Sequence, residues 1–135
     1  VEDALGGLSP AKRRKVIRFF LKRRIRTRAD AILLTQHFAN LGIMEEAEQR
    51  RLYEGMRDSL FKNVPLLIKK HPDDTLDYRT IFPHAQIIRE TFPAELLPYV
   101  FTRKPAAVYT FDSTSCENLR AHFQIKTVRR ERYAE

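Results

Sequence analysis

Lys69, Lys70 and His71 follow directly on the apolar run Leu66-Leu67-Ile68 and are stopped by Pro72. Two lysines and a histidine delivered together suit a phosphate. The ammonium groups neutralise its charge, and an imidazole can hydrogen-bond or protonate an oxygen. Two later stretches carry groups of the same use. Glu95 lies in Phe92-Pro93-Ala94-Glu95, and a carboxylate beside a phosphate site commonly pairs with ribose hydroxyls. Ser113, Thr114 and Ser115 precede a segment of helical character, where hydroxyls and backbone N–H groups meet phosphate oxygens. Each stretch also has a plainer reading: a loop histidine before proline, a first-turn acid, and ordinary helix capping.

These groups need a scaffold that brings them to one edge, and the apolar patterning provides it. Short apolar runs predict buried strands at Ala31 to Gln36, Val64 to Lys70, Ala85 to Arg89 and Ala106 to Phe111, with a further strand from Gln124 to Val128. Helical segments are expected between them. Met44 to Lys62 has acids in its first turns and an apolar face of Ala47, Leu52, Met56 and Leu60. Shorter helices are expected from Pro93 to about Phe101 and from Cys116 to Phe123. Alternation of strand and helix points to a parallel sheet with covering helices, an α/β Rossmann-like domain. In such a sheet the strand ends after Lys69 and Phe111 fall on one edge, and Lys70 points to the opposite face from Lys69.

Bulk properties narrow the choices. A chain of 135 residues supports one core. The lone Cys116 rules out an internal disulfide and a cysteine-rich zinc site. With four glycines, none in a phosphate-loop pattern, the chain lacks both a dinucleotide-type and a Walker-type loop. No histidine cluster has zinc-ligand spacing, and His37, His84 and His122 are expected to be ordinary surface, loop or helix residues. Asp73, Asp74 and Asp77 are expected to face solvent. No metal or cofactor is expected.

The net charge of +8 is local. Residues 1–30 hold ten Lys or Arg against three acids. Ser9-Pro10 opens a basic amphipathic helix in which Val16, Ile17, Phe19, Phe20, Leu21 and Ile25 are embedded among cations from Lys12 to Arg28. Such a segment can be a solvated helix or interdomain linker, can lie on an anionic membrane, or can bind nucleic acid through phosphates. Nucleic acid is the least favoured, because no aromatic-glycine motif accompanies the charge. Three parts are therefore expected: residues 1–29 as basic helix or linker, 30–124 as the nucleotide-binding domain and 125–135 as a basic tail. The start at Val1 suggests a fragment.

The order of the motifs carries a resemblance. Lys69-Lys70-His71-Pro72, Phe92-Pro93-Ala94-Glu95-Leu96-Leu97 and Phe111-Asp112-Ser113-Thr114-Ser115 resemble the C-terminal half of bacterial sialyltransferases. The likeness is to the lipooligosaccharide sialyltransferase family (glycosyltransferase family 52) and related polysialyltransferases. Ile32-Leu33-Leu34-Thr35-Gln36 and Gly42-Ile43-Met44 through Tyr53 look like the same family, so the resemblance covers roughly Ala31 to Phe123. It implies the C-terminal domain of a GT-B enzyme that binds CMP-sialic acid. It places His71 at the phosphate as general acid, Lys69 at the nucleotide, Glu95 on the ribose, and Ser113, Thr114 and Ser115 on the phosphate. It also implies work at a bacterial surface glycan, in the cytoplasm or at the inner face of the membrane.

One departure limits the resemblance. The family's general base sits in an acidic-acidic-glycine motif of the N-terminal domain, and no such motif occurs here. Asp73-Asp74 is followed by Thr75, and Glu45-Glu46 by Ala47. The implied function is donor binding, incomplete for transfer without an N-terminal domain that holds the glycan acceptor. Two other classes stay open: a related glycosyl- or polyol-phosphate transferase using another nucleotide donor, and a non-enzymatic basic adaptor on membrane or nucleic acid.

Overall fold

The computed structural model describes residues 7–112 and 114–132. Five strands form one sheet: β1 (Ala31–Leu34), β2 (Leu66–Lys69), β3 (Gln86–Ile87), β4 (Ala107–Thr110) and β5 (Gln124–Thr127). Their order across the sheet is β3-β2-β1-β4-β5, and every pairing is parallel. This is the α/β sheet that the alternation predicts. The chain winds outward from β1 in both directions, so the C-terminal ends of β1, β2 and β4 share an edge at the reversal of strand order.

Parallel strands covered on both faces need apolar residues at nearly every position. β2 has all four of its residues buried, Lys69 included. Alternation divides the rest between two cores. On one face Ile32, Leu67 and Val108 pack with Leu96, Leu97, Leu119 and Phe123. On the other, Leu33, Leu66, Ile68 and Ala107 pack with Leu52, Tyr53, Met56, Tyr78 and Ile81.

The two α-helices cover opposite faces. α1 (Pro10–Phe20) is capped by Ser9, whose side chain accepts from the Lys12 N–H at 3.3 Å. Its Val16, Ile17 and Phe20 pack on the first core, and the chain continues through buried Leu21 and Ile25. Ile25 bonds to the backbone on both sides, its N–H donating to Val100 at 2.7 Å and its C=O accepting from Thr102 at 3.0 Å. The basic segment is thus packed onto the sheet domain. β5 likewise carries the sheet past residue 124, into the stretch expected to be tail.

α2 (Glu46–Ser59) begins with Glu46 and Glu48 in its first turn and buries Gln49, Leu52, Tyr53 and Met56. The expected apolar face is rotated: Ala47 is exposed, and Gln49 and Tyr53 take the inward positions. Asn63, at φ 62°, makes the left-handed turn from α2 toward β2.

The two shorter helices are 3₁₀, at Ala94–Tyr99 and Thr114–Leu119. Pro98 removes a backbone donor from the first. Cys116, at φ −110° and ψ 15°, kinks the second.

Candidate functional site

The register pairs Leu34 with Lys69, so the exits of β1 and β2 lie side by side. Thr35 fastens them together. Its N–H donates to the Lys69 carbonyl at 3.2 Å, and its buried Oγ1 accepts from the His71 N–H at 3.0 Å. His71 then turns back on its own loop: Nδ1 accepts from the Asp73 N–H at 3.1 Å. That bond fixes the tautomer. In the neutral ring the proton sits on Nε2, which becomes a donor.

Lys69 and Lys70 separate as strand alternation requires. The Lys69 ammonium lies 4.4 Å from the Phe92 ring centroid, and that of Lys70 lies 5.7 Å from the Tyr78 centroid, against the other core. Burial pushes the Lys69 pKa below the ordinary lysine value, and the Glu95 carboxylate pulls it partly back. Lys69 and Glu95 therefore share one electrostatic neighbourhood. Glu95 itself is exposed, in the first turn of the 3₁₀ helix Ala94–Tyr99.

The third expected group is only partly described. β4 ends at Thr110, whose Oγ1 accepts from the Asp112 N–H at 3.2 Å. Ser113 lies outside the described residues. Thr114 and Ser115 open the 3₁₀ helix Thr114–Leu119, and their side chains lie outside what is described.

A residue that sequence reasoning set aside stands beside His71. The His37 ring stacks on it with centroids 3.9 Å apart and planes 29° from parallel. His37 Nδ1 is buried without a hydrogen-bond partner among the described residues. With Asp73, the two imidazoles bring ligand-type atoms within 4.8 Å of one another. Distance decides against a metal centre in this arrangement. Two imidazoles on one tetrahedral ion, each at about 2.1 Å, would hold their centroids roughly 5 Å apart. The rings here are closer and face to face, and the Asp73 N–H already occupies His71 Nδ1.

Both histidine loops are held from below by α2. Gln49 Oε1 accepts from the Ala39 N–H at 2.8 Å, and Tyr53 Oη accepts from the Gln36 N–H at 3.0 Å. Gln49 Nε2 donates to Asp74 at 3.2 Å. The Asp74 carboxylate also accepts from the Leu76 N–H at 3.1 Å and from the Tyr78 hydroxyl. Asp74 is only 6% exposed, so it is an internal acceptor and not the solvated loop acid expected. From outside, the Asn40 amide donates to the Asp73 carbonyl. The network was hidden because its members are far apart in the chain. A polar Gln49 at an inward helical position was the available signal.

The fold and this edge define an α/β domain with cationic and hydrogen-bonding groups at the C-terminal ends of parallel strands. Comparison with known proteins adds one relative. A protein of Haemophilus influenzae (strain ATCC 51907 / DSM 11121 / KW20 / Rd), described as uncharacterized, is 36% identical over 84 residues. The match takes in 62% of this chain and 27% of that protein, so the chain spans about a quarter of the relative's length. No family model matches the chain, and no solved structure matches it.

Proposed function

We propose that this chain is the donor-binding domain of a nucleotide-sugar-dependent glycosyltransferase of the GT-B type, with CMP-sialic acid as the donor. One observation supports the reading: β2 ends at Lys69 on the C-terminal edge of a parallel sheet, two residues before His71, and Glu95 is near enough to act on the Lys69 ammonium. A cation, a ribose-type acceptor and an N–H donor are the groups a nucleoside monophosphate needs.

In this reading Lys69 faces the negative charge of the donor and Glu95 accepts from the ribose hydroxyls. His71 presents Nε2 to the phosphate. As the glycosidic C–O bond breaks, its electron pair stays on the phosphate oxygen. Fixed donors aimed there lower the barrier, and the Nε2–H keeps its proton and donates a hydrogen bond to that oxygen as its charge builds. The residue that activates the acceptor, and the glycan site, belong to a part of the enzyme outside this chain. The setting is the cytoplasm, at the inner face of the membrane, where a surface glycan is assembled.

Calorimetry with cytidine and uridine monophosphates tests this. Cytidine monophosphate should bind at least about tenfold more tightly than uridine monophosphate, and His71→Ala should weaken it by about tenfold or more. Preference for the uridine nucleotide would move the reading to a transferase with a different donor. Absence of binding by both, with His71→Ala changing nothing, would end it.

A further inference from the structure

We infer that the outward face of α1, together with the basic stretch that follows it, is a docking surface for an anionic lipid bilayer. One reading of the sequence lays this helix on an anionic membrane, and the fold limits which of its residues can take part. Val16, Ile17, Phe20, Leu21 and Ile25 are committed to the protein's own core. Arg13 turns inward with them, its guanidinium 4.5 Å from the Tyr99 ring centroid.

What remains outside is specific. Phe19 is 83% exposed, more than any other exposed large hydrophobic residue among those described. Its ring stands edge-on to Phe20 at 4.9 Å, and Phe20 packs on the core, so the exposed aromatic is held by a half-buried neighbour. Every Lys and Arg of residues 10–29 apart from Arg13 is exposed, and no acid occurs between Ser9 and Ala29. Among the described residues, the ion pairs involve none of Lys15, Arg18 and Lys22. A solvated face on a globular domain ordinarily mixes signs; this one does not.

The combination fits a bilayer surface. Cations near an anionic leaflet each gain from its negative potential, and a single aromatic can sit at headgroup depth. A cavity of about 1100 Å³ opens beside this face, where Lys22, Arg23, Arg24, Arg26 and Arg89 outnumber a single acid, Glu90, along the β3 edge. It offers room for phosphorylated headgroups next to the helix. With one aromatic anchor and many charges, binding is shallow and governed by charge, so it must weaken steeply with salt. The inference stands apart from the transferase reading, since it uses none of Lys69, His71 and Glu95.

Vesicle co-sedimentation of the chain tests it, with circular dichroism to confirm that each variant is folded. The chain should sediment with vesicles containing phosphatidylglycerol, not with pure phosphatidylcholine, and should be released by high salt. The pair Lys15→Ala and Arg18→Ala should lower partitioning by about twenty-fivefold, and Phe19→Ser by about fivefold. Failure to sediment with anionic vesicles at low salt would overturn the proposal. Unchanged partitioning in both variants would also overturn it, as would release by millimolar inorganic phosphate at constant ionic strength, which would reveal a soluble-anion site instead. Tighter binding to a single-stranded oligonucleotide than to the vesicles would assign the face to nucleic acid.

Discussion

The Lys69 ammonium sits over the Phe92 ring on a strand buried at every position, and burial holds its pKa below the ordinary lysine value. A fold has no need of a cation there, because an apolar side chain would fill the same space without the desolvation cost. The cation–π contact and Glu95 offset that cost in part. Lys69→Met should therefore leave stability unchanged or raise it by up to about 1 kcal/mol in a denaturant titration. The same variant should weaken cytidine monophosphate by about tenfold or more in calorimetry, through the lost charge-assisted contact. Loss of stability with unaltered nucleotide binding would make Lys69 a packing residue only. His71 differs in that its backbone N–H, its Nδ1 and its ring face are all engaged, which leaves Nε2 for a ligand.

At the scale of elements, the loops after β1 and β2 are positioned by α2 and not by their own composition. Gln49, Tyr53, Tyr78 and Asp74 form one buried network linking the two loops. Asp74→Ala removes the acceptor of Gln49, Tyr78 and the Leu76 N–H together. It should cost about 2–4 kcal/mol in chemical denaturation. Nucleotide affinity should fall as well, although Asp74 is not placed to touch the ligand. Met56→Ala, a cavity in the same core, should cost a similar amount and leave affinity unchanged in the folded protein. That contrast separates positioning from general loosening. It also marks what the sequence could reveal. The inner strands β1, β2 and β4 were legible because each is a short apolar run between polar breaks, whereas the edge strands β3 and β5 carry Gln86, Gln124, Lys126 and Thr127 and signal themselves more weakly; the Lys69-to-His71 strand end followed from β2. The 3₁₀ geometry was not, since it turns on Pro98 and on the Cys116 kink. The stacking of His37 on His71 was not legible either, because it depends on the register that pairs Leu34 with Lys69, 35 residues further along the chain.

At the scale of the whole molecule, the buried network sets how stability responds to alkali. Tyr53 and Tyr78 are both essentially inaccessible, and burial is the largest cause raising each hydroxyl's pKa above its ordinary value of 10.0. Asp74 adds to the shift of both. Above pH 10 the unfolded chain ionises these phenols while the folded chain keeps their protons, so unfolding releases protons and stability falls as pH rises. Lys69 acts in the opposite sense. Between its depressed folded pKa and the ordinary 10.5, the unfolded chain holds a proton that the folded chain has lost, so stability rises with pH in that window and gains nothing more above it. Below pH 10 the lysine acts without opposition from the two phenols, and above 10.5 they act without it. Denaturant titrations from pH 8 to pH 12 should then show stability level or rising to about pH 10, followed by a loss of about 2.7 kcal/mol per pH unit from the two phenols together. Tyr53→Phe should halve that slope, and Lys69→Met should remove the earlier rise while leaving the later fall in place. A fall that begins well below pH 9, or one unaffected by Tyr53→Phe, would show that the two tyrosines are not the groups whose protons hold this fold together.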